Sequence, residues 1–184
     1  MTHPAFDVAG QLRFELEKGA VSSRADEPLV VLPLSLLAAI PADDAVTAAA
    51  RRFGISKGRE MADQLSGEDL QALSDQIATL LALMGLGSPS IEVHGDALLI
   101  RVLAASSDVL SPGAGAVLCG VLGGALESIA GGQPFQVVSL SESTSEAVLF
   151  AGNANAAGLM KRAIKGGIGL DEALNALSSS RGEQ

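Results

Sequence analysis

The chain has 184 residues, of which 48% are apolar and only 3% aromatic, with neither Trp nor Tyr and a formal net charge of −9 at pH 7. That length suffices for one domain with a substantial core. The acidic balance and the scarcity of ring faces argue against nucleic-acid binding, which needs basic patches for phosphate and aromatic platforms for bases.

Arg51, Arg52, Lys57 and Arg59 form one basic cluster, too small to reverse this balance. A single cysteine, Cys119, excludes an internal disulfide and a Cys-rich zinc site. With His3 and His94 as the only histidines, no metal site and no cofactor are expected. The N-terminus has no apolar signal-like region, and no uninterrupted apolar run of about 18 residues follows it. The expectation is a cytoplasmic chain without a membrane span.

Residues 1–28 are mixed and polar and read as an N-terminal arm, with "SSRADEP" as a flexible stretch. "LVVLPLSLLAAI" (29–40) is broken by Pro33, which disfavours helix in the residue before it. A short extended piece followed by a helical turn fits. Asp43 and Asp44 stand at the N-cap and first turn of a helix running through "DAVTAAARRFGISKGREMADQL". Gly54 and Gly58, four residues apart, share one face of it and mark a place where another helix packs closely.

Ser66 and Asp69 resemble a capping box for the next helix. Its apolar residues, Leu70, Leu73, Ile77, Leu80, Leu81 and Met84, recur at intervals of three and four, and Gly85 and Gly87 end it. Ile91–His94 and Ala97–Leu103 flank Gly95-Asp96, a β-hairpin signature. "ASSDVLSPGA" (105–114) reads as a loop. A glycine-rich helix, "GAVLCGVLGGALESIAGG", then runs to about Ala130 and is ended by Gly131-Gly132. A second hairpin pairs Phe135–Leu140 with Ala147–Phe150, and two short helices and a frayed tail follow. Hairpins in place of βαβ units predict an α+β domain over 29–151, an antiparallel sheet packed with helices, followed by a C-terminal helical extension at 152–184.

No recognised catalytic pattern emerges. The P-loop and the nucleophile elbow are missing. Gly113 and Gly115 begin a dinucleotide-like fingerprint, but its third glycine falls at 120, two positions late. His94 precedes a hairpin turn and reads as an exposed turn residue, so a Cys119–His94 pair is not expected. The acidic pairs fall at helix starts, where they serve the helix dipole. The chain therefore reads as a non-enzyme. Its glycine-rich helix carries Gly120, Gly123 and Gly124, each of which lowers helix stability by about 1 kcal/mol relative to Ala. Such a helix is either packed backbone to backbone, within the core or at a dimer interface, or it forms the wall of an apolar pocket.

Several segments in order resemble the 4-vinyl-reductase (hydrocarbon-binding) domain, whose fold is related to small subunits of the transport protein particle. They are "VVLPLSLLAAI" (30–40), "FGISKGREMADQL" (53–65), "LLALMGLGSPSIEVHGDALLIRV" (80–102) and "VLCGVLGGALESIAGGQPFQVV" (117–138), within residues 30–150. The resemblance implies a homodimeric α+β fold acting as a sensor or adaptor. Its apolar pocket would take a hydrophobic small molecule or acyl chain. The pocket or close-packing residues would be Cys119, Gly120, Gly123 and Gly124 with Leu80 and Met84, and Gly54 and Gly58 a helix-packing face. Family members carry further cysteines in the last hairpin; "VVSLSESTSEAVLF" has none. The pattern "GREMADQL … LLALMGLG … ALLIRV … VLGGALESI" also resembles the bacterial cellulose synthase D family, whose members are non-catalytic oligomeric scaffolds in polysaccharide export. That resemblance implies filled volume and apolar surfaces between protomers.

Overall fold

In the N-terminal region, where the sequence suggests only an arm, short strands pair. The structure, a computed structural model, describes residues 12–15, 20–23, 28–29, 33–63, 65, 70–104, 106–142 and 145–179. Strands β1 (Leu12–Glu15), β2 (Ala20–Ser23) and β3 (Pro28–Leu29) form a small antiparallel sheet in that order. Of the stretch read as flexible, Ser22, Ser23 and Pro28 lie in these strands, and Ser22 pairs with Pro28. Strands of two to four residues carry too little alternation to be read before their partners are known.

Pro33 is extended and stands at the N-cap of helix α1 (Leu34–Ala38). Helix α2 (Asp44–Ala62) starts where Asp43 Oδ1 accepts a 2.8 Å hydrogen bond from the Val46 N–H. Helix α3 (Leu70–Leu83) buries Ile77, Leu80 and Leu81. It ends as the glycines predict: Gly85 takes φ +67°, and the Leu86 N–H donates to the Leu81 carbonyl at 2.9 Å. The capping reading for Ser66 and Asp69 lies outside the described residues.

The first hairpin is β4 (Ser88–His94) and β5 (Ala97–Leu103), closed by Gly95-Asp96 with Gly95 at φ +63°. The segment read as a loop is more ordered than the sequence suggests. It forms a 3-10 turn at Ser107–Leu110, and helix α4 begins three residues earlier than expected, at Pro112, running to Ile129. Ser111 caps it, its Oγ accepting from the Ala114 N–H at 3.3 Å, and Pro112 takes the first helical position. Strands β6 (Gln136–Glu142) and β7 (Glu146–Gly152) make the second hairpin. A bulge at Leu140 shifts the register between Ser139 and Ser141. Helices α5 (Ala154–Lys165), capped by Asn153, and α6 (Leu170–Ser179) follow.

The two hairpins join through β5 and β7 into one antiparallel sheet of order β4-β5-β7-β6, so the fold is α+β as the hairpin signatures predict. Strand alternation sorts side chains to two cores. Ile100, Val102, Leu149 and Ala151 face α3 and α4 with Leu81, Leu118 and Leu122. Leu99, Val148 and Phe150 face α5 and α6, against Ala157, Met160 and Leu174. Burying each such large side chain contributes about 1.5–3 kcal/mol.

Helix α4 lies between α2 and the sheet. By length and composition alone its 18 residues could cross a membrane, although Glu127 and Ser128 interrupt the apolar run. In the fold, 56% of it is buried against protein.

Candidate functional site

Helix α4 presents two opposed faces, because residues one helical turn apart share a side while residues two apart lie on nearly opposite sides. Gly113, Gly120 and Gly124 turn toward α1 and α2. A Cβ on Gly120 would lie 2.6 Å from the Thr47 carbonyl oxygen, and one on Gly124 2.8 Å from the Ile55 nitrogen. The approach is mutual: a Cβ on Gly54 would lie 2.8 Å from the Val121 carbonyl carbon, and one on Gly58 2.7 Å from the Ala125 Cα. Both predicted glycine faces are thus spent on each other, within one chain. Ser128 Oγ adds a 3.0 Å hydrogen bond to the Ile55 carbonyl.

Gly123 has a different neighbour. The Arg51 guanidinium crosses over it, 3.0 Å from where a Cβ would stand. Arg51 donates to the Phe135 carbonyl at 2.9 Å and forms an ion pair with Glu127. One member of the basic cluster therefore fastens α2 to α4 and to the start of the second hairpin.

On the sheet-facing side of α4, a cavity of about 270 Å³ opens. The 3-10 turn contributes Val109 and Leu110, and the helix start Ser111 and Pro112. Gly115, Ala116, Leu118 and Cys119 form the α4 wall, and Ser139, Ala147 and Leu149 the strand wall. Most of this lining is apolar and none of it carries charge. Cys119 is half-buried, yet surrounding protein pushes its thiol pKa up from 9.0 to about 11. The charge of Lys161 and a backbone hydrogen bond at Ser139 oppose that rise without cancelling it. The thiol stays neutral and is a poor nucleophile near neutral pH.

Of the residues singled out from sequence, Cys119 lines the cavity. Gly120, Gly124, Gly54 and Gly58 make the α2–α4 contact, and Gly123 sits under Arg51. Leu80 is buried in the core on the α3–α4 side of the sheet and Met84 packs against that core; neither lines the cavity. Sequence reasoning missed Gly115, Ser139 and the 3-10 turn residues. The available signal was the spacing of Gly115 to Cys119, one helical turn. His94, read as an exposed turn residue, is half-buried at the end of β4, its Nε2 enclosed 3.6 Å from Glu92 Oε2. It pairs with Ala97, whose side chain faces α5 and α6, on the opposite side of the sheet from Cys119. Among the described residues, no three His, Cys, Asp or Glu side chains are placed to hold a metal ion.

No family model matches the sequence, and no curated protein matches it. Among solved structures, the chain is similar to the phenol-responsive sensory domain of the transcription activator PoxR, crystallised with phenol. The TM-score is 0.55 at 15% sequence identity, over 79% of this chain and 87% of that one. The chain therefore shares the fold of a small-molecule-responsive sensory domain.

Proposed function

We propose that this chain is a non-catalytic sensor or adaptor domain that takes a compact, uncharged hydrophobic molecule into the cavity beside Cys119. The observation that carries this reading is the cavity itself, about 270 Å³ with a mainly apolar, uncharged lining. An apolar cavity of about 150 Å³ suffices for benzene. The volume suits one ring with a small substituent, or a short alkyl chain, better than a long acyl chain. The phenol response of the similarly folded PoxR domain supports a ligand of that size class. The reading also agrees with the resemblance to the 4-vinyl-reductase domain, and a cytoplasmic location is part of it.

Self-association belongs to the same proposal. The glycine faces do not support it, being consumed inside the chain. What supports it is exposed apolar surface, with Leu103 61%, Leu36 51% and Val93 49% accessible. A second reading, a scaffold resembling the cellulose synthase D family in exopolysaccharide synthesis and export, is favoured by the filled α2–α4 contact.

Thermal melts with toluene, phenol, hexane and hexanol, paired with native mass spectrometry, separate the two. A ligand at a hundred times its dissociation constant stabilises the native state by about 2.7 kcal/mol. At least one of these molecules is expected to raise the melting temperature. No shift with any of them, and a native mass equal to the bare chain or a multiple of it, would favour the scaffold.

A further inference from the structure

Five of the glycines in α2 and α4 are accounted for by close approach of main chain: Gly54, Gly58, Gly113, Gly120 and Gly124. Gly123 is accounted for by the Arg51 guanidinium. Gly115 is the exception. A Cβ there would meet nothing within 4 Å. Glycine lowers helix stability relative to alanine, and no neighbour requires it at this position. What the missing side chain does is leave space. Gly115 points to the same side of α4 as Cys119, and both line the cavity.

We propose that Gly115 is the size-determining residue of the cavity, and that the space it leaves admits an uncharged single ring bearing at most a small neutral substituent. The proposal rests on the reading of the cavity as a ligand site and deepens it by naming the ligand class and the residue that sets its limit. Charge is excluded by the lining, which has no Lys, Arg, His, Asp or Glu. Its polar side chains are Ser111, Cys119 and Ser139. Ser111 Oγ already accepts the Ala114 N–H. A carboxylate would lose hydration against this lining, and Lys161, whose charge reaches Cys119, stands outside it, whereas a neutral ring is held by apolar burial.

The test uses the full chain and its Gly115→Ala and Gly115→Leu variants, with dissociation constants measured by calorimetry for toluene, phenol, p-xylene and benzoate. Ala is a better helix former than Gly and has free space at this site, so Gly115→Ala provides a folded comparison even if the larger substitution perturbs the helix. The unmodified chain is expected to bind toluene and phenol and to reject benzoate. Gly115→Ala should weaken p-xylene on the order of tenfold relative to toluene, the effect of one methyl-sized change in an apolar pocket. Gly115→Leu should abolish binding of all the rings while melting cooperatively without ligand. If the rings bind but both variants leave every constant unchanged, Gly115 does not set the limit, and the sensor reading survives. Benzoate binding as tight as toluene overturns the charge exclusion. If no ring binds the unmodified chain, the sensor reading and this inference fall together.

Discussion

Gly124 of α4 and Arg51 of α2 touch through their main chains: the Arg51 carbonyl oxygen occupies the place a side chain at 124 would take. Nothing flexible stands there, because the next obstacle is the Ile55 backbone nitrogen at 2.8 Å. Gly124→Ala is therefore expected to destabilise the fold by about 1–3 kcal/mol through overpacking. The gain in helix propensity, about 1 kcal/mol, works against this and does not cancel it. Gly115→Ala, with open space around it, should be neutral or stabilising by up to about 1 kcal/mol. Urea unfolding of the two variants side by side measures the contrast. A Gly124→Ala midpoint equal to that of the unmodified chain would show the close approach to be dispensable.

Arg51 joins three elements through the Phe135 carbonyl and Glu127. Hydrogen bonds involving a charged group contribute about 1.5–3 kcal/mol. Both side chains are partly solvated, at 31% and 24% exposure, so the low end of that range applies. Arg51→Met is expected to lower stability by about 1–2 kcal/mol, and Glu127→Gln by less, since the Phe135 hydrogen bond survives it. A double-mutant cycle should give a coupling of about 0.5 kcal/mol or more. Strict additivity of the two substitutions would mean that the pair is not formed in solution.

The Cys119 thiol, with its pKa pushed up to about 11 by burial, should be slow toward thiol reagents in the native protein. Relative to an ordinary thiol at 9.0, the thiolate fraction at neutral pH falls by about 100-fold. The rate is expected to recover on unfolding. Native and denatured labelling with a chromogenic disulfide measures the ratio, and equal rates would refute the enclosed thiol.

The same shift makes stability depend on pH, and its sign follows from proton counting. Below pH 9 the thiol is protonated in both states and contributes no slope. Between about 9 and 11 the unfolded chain releases the proton while the native protein keeps it, so stability falls as pH rises. Above 11 both forms are ionised and the loss is complete. Cys119→Ala should flatten this part of the stability profile. A variant that loses stability over that window as steeply as the unmodified chain would assign the slope to other groups.

Self-association is tested by mass. Light scattering at micromolar concentration is expected to give a multiple of 18.5 kDa. A clean monomer would remove the dimer from the proposal and leave the cavity reading untouched. Leu103 and Val93 lie on opposite faces of the sheet, so replacing each with Ser in turn should shift any dimer toward monomer only on the face that carries the contact.

Local rules determined most of the architecture before any tertiary contact is considered. Asp43 and Asn153 cap helices because a side-chain oxygen can accept an N–H that the helix leaves free. Gly95-Asp96 closes a hairpin because glycine takes φ +63° at little cost. The alternation in Ala97–Leu103 assigns its residues to two faces, and the absence of βαβ order makes the sheet antiparallel. Gly54, Gly58, Gly120 and Gly124 were legible as close-packing positions because their spacing is that of a helix face. Which surface each face meets is a different kind of fact. Whether Gly120 and Gly124 would meet α2 of the same chain, a second copy or a ligand depends on how elements distant in sequence dock, and spacing contains no such information. The tertiary structure joined them to α2. It also placed the open volume on the other side of α4, where Gly115 and Cys119 meet Ser139 and Ala147. A cavity is what packing leaves unfilled between segments far apart in sequence, so no single stretch can announce it. Local chemistry determined the helices, turns and hairpins; docking alone decided which glycines close a contact and which one leaves a space.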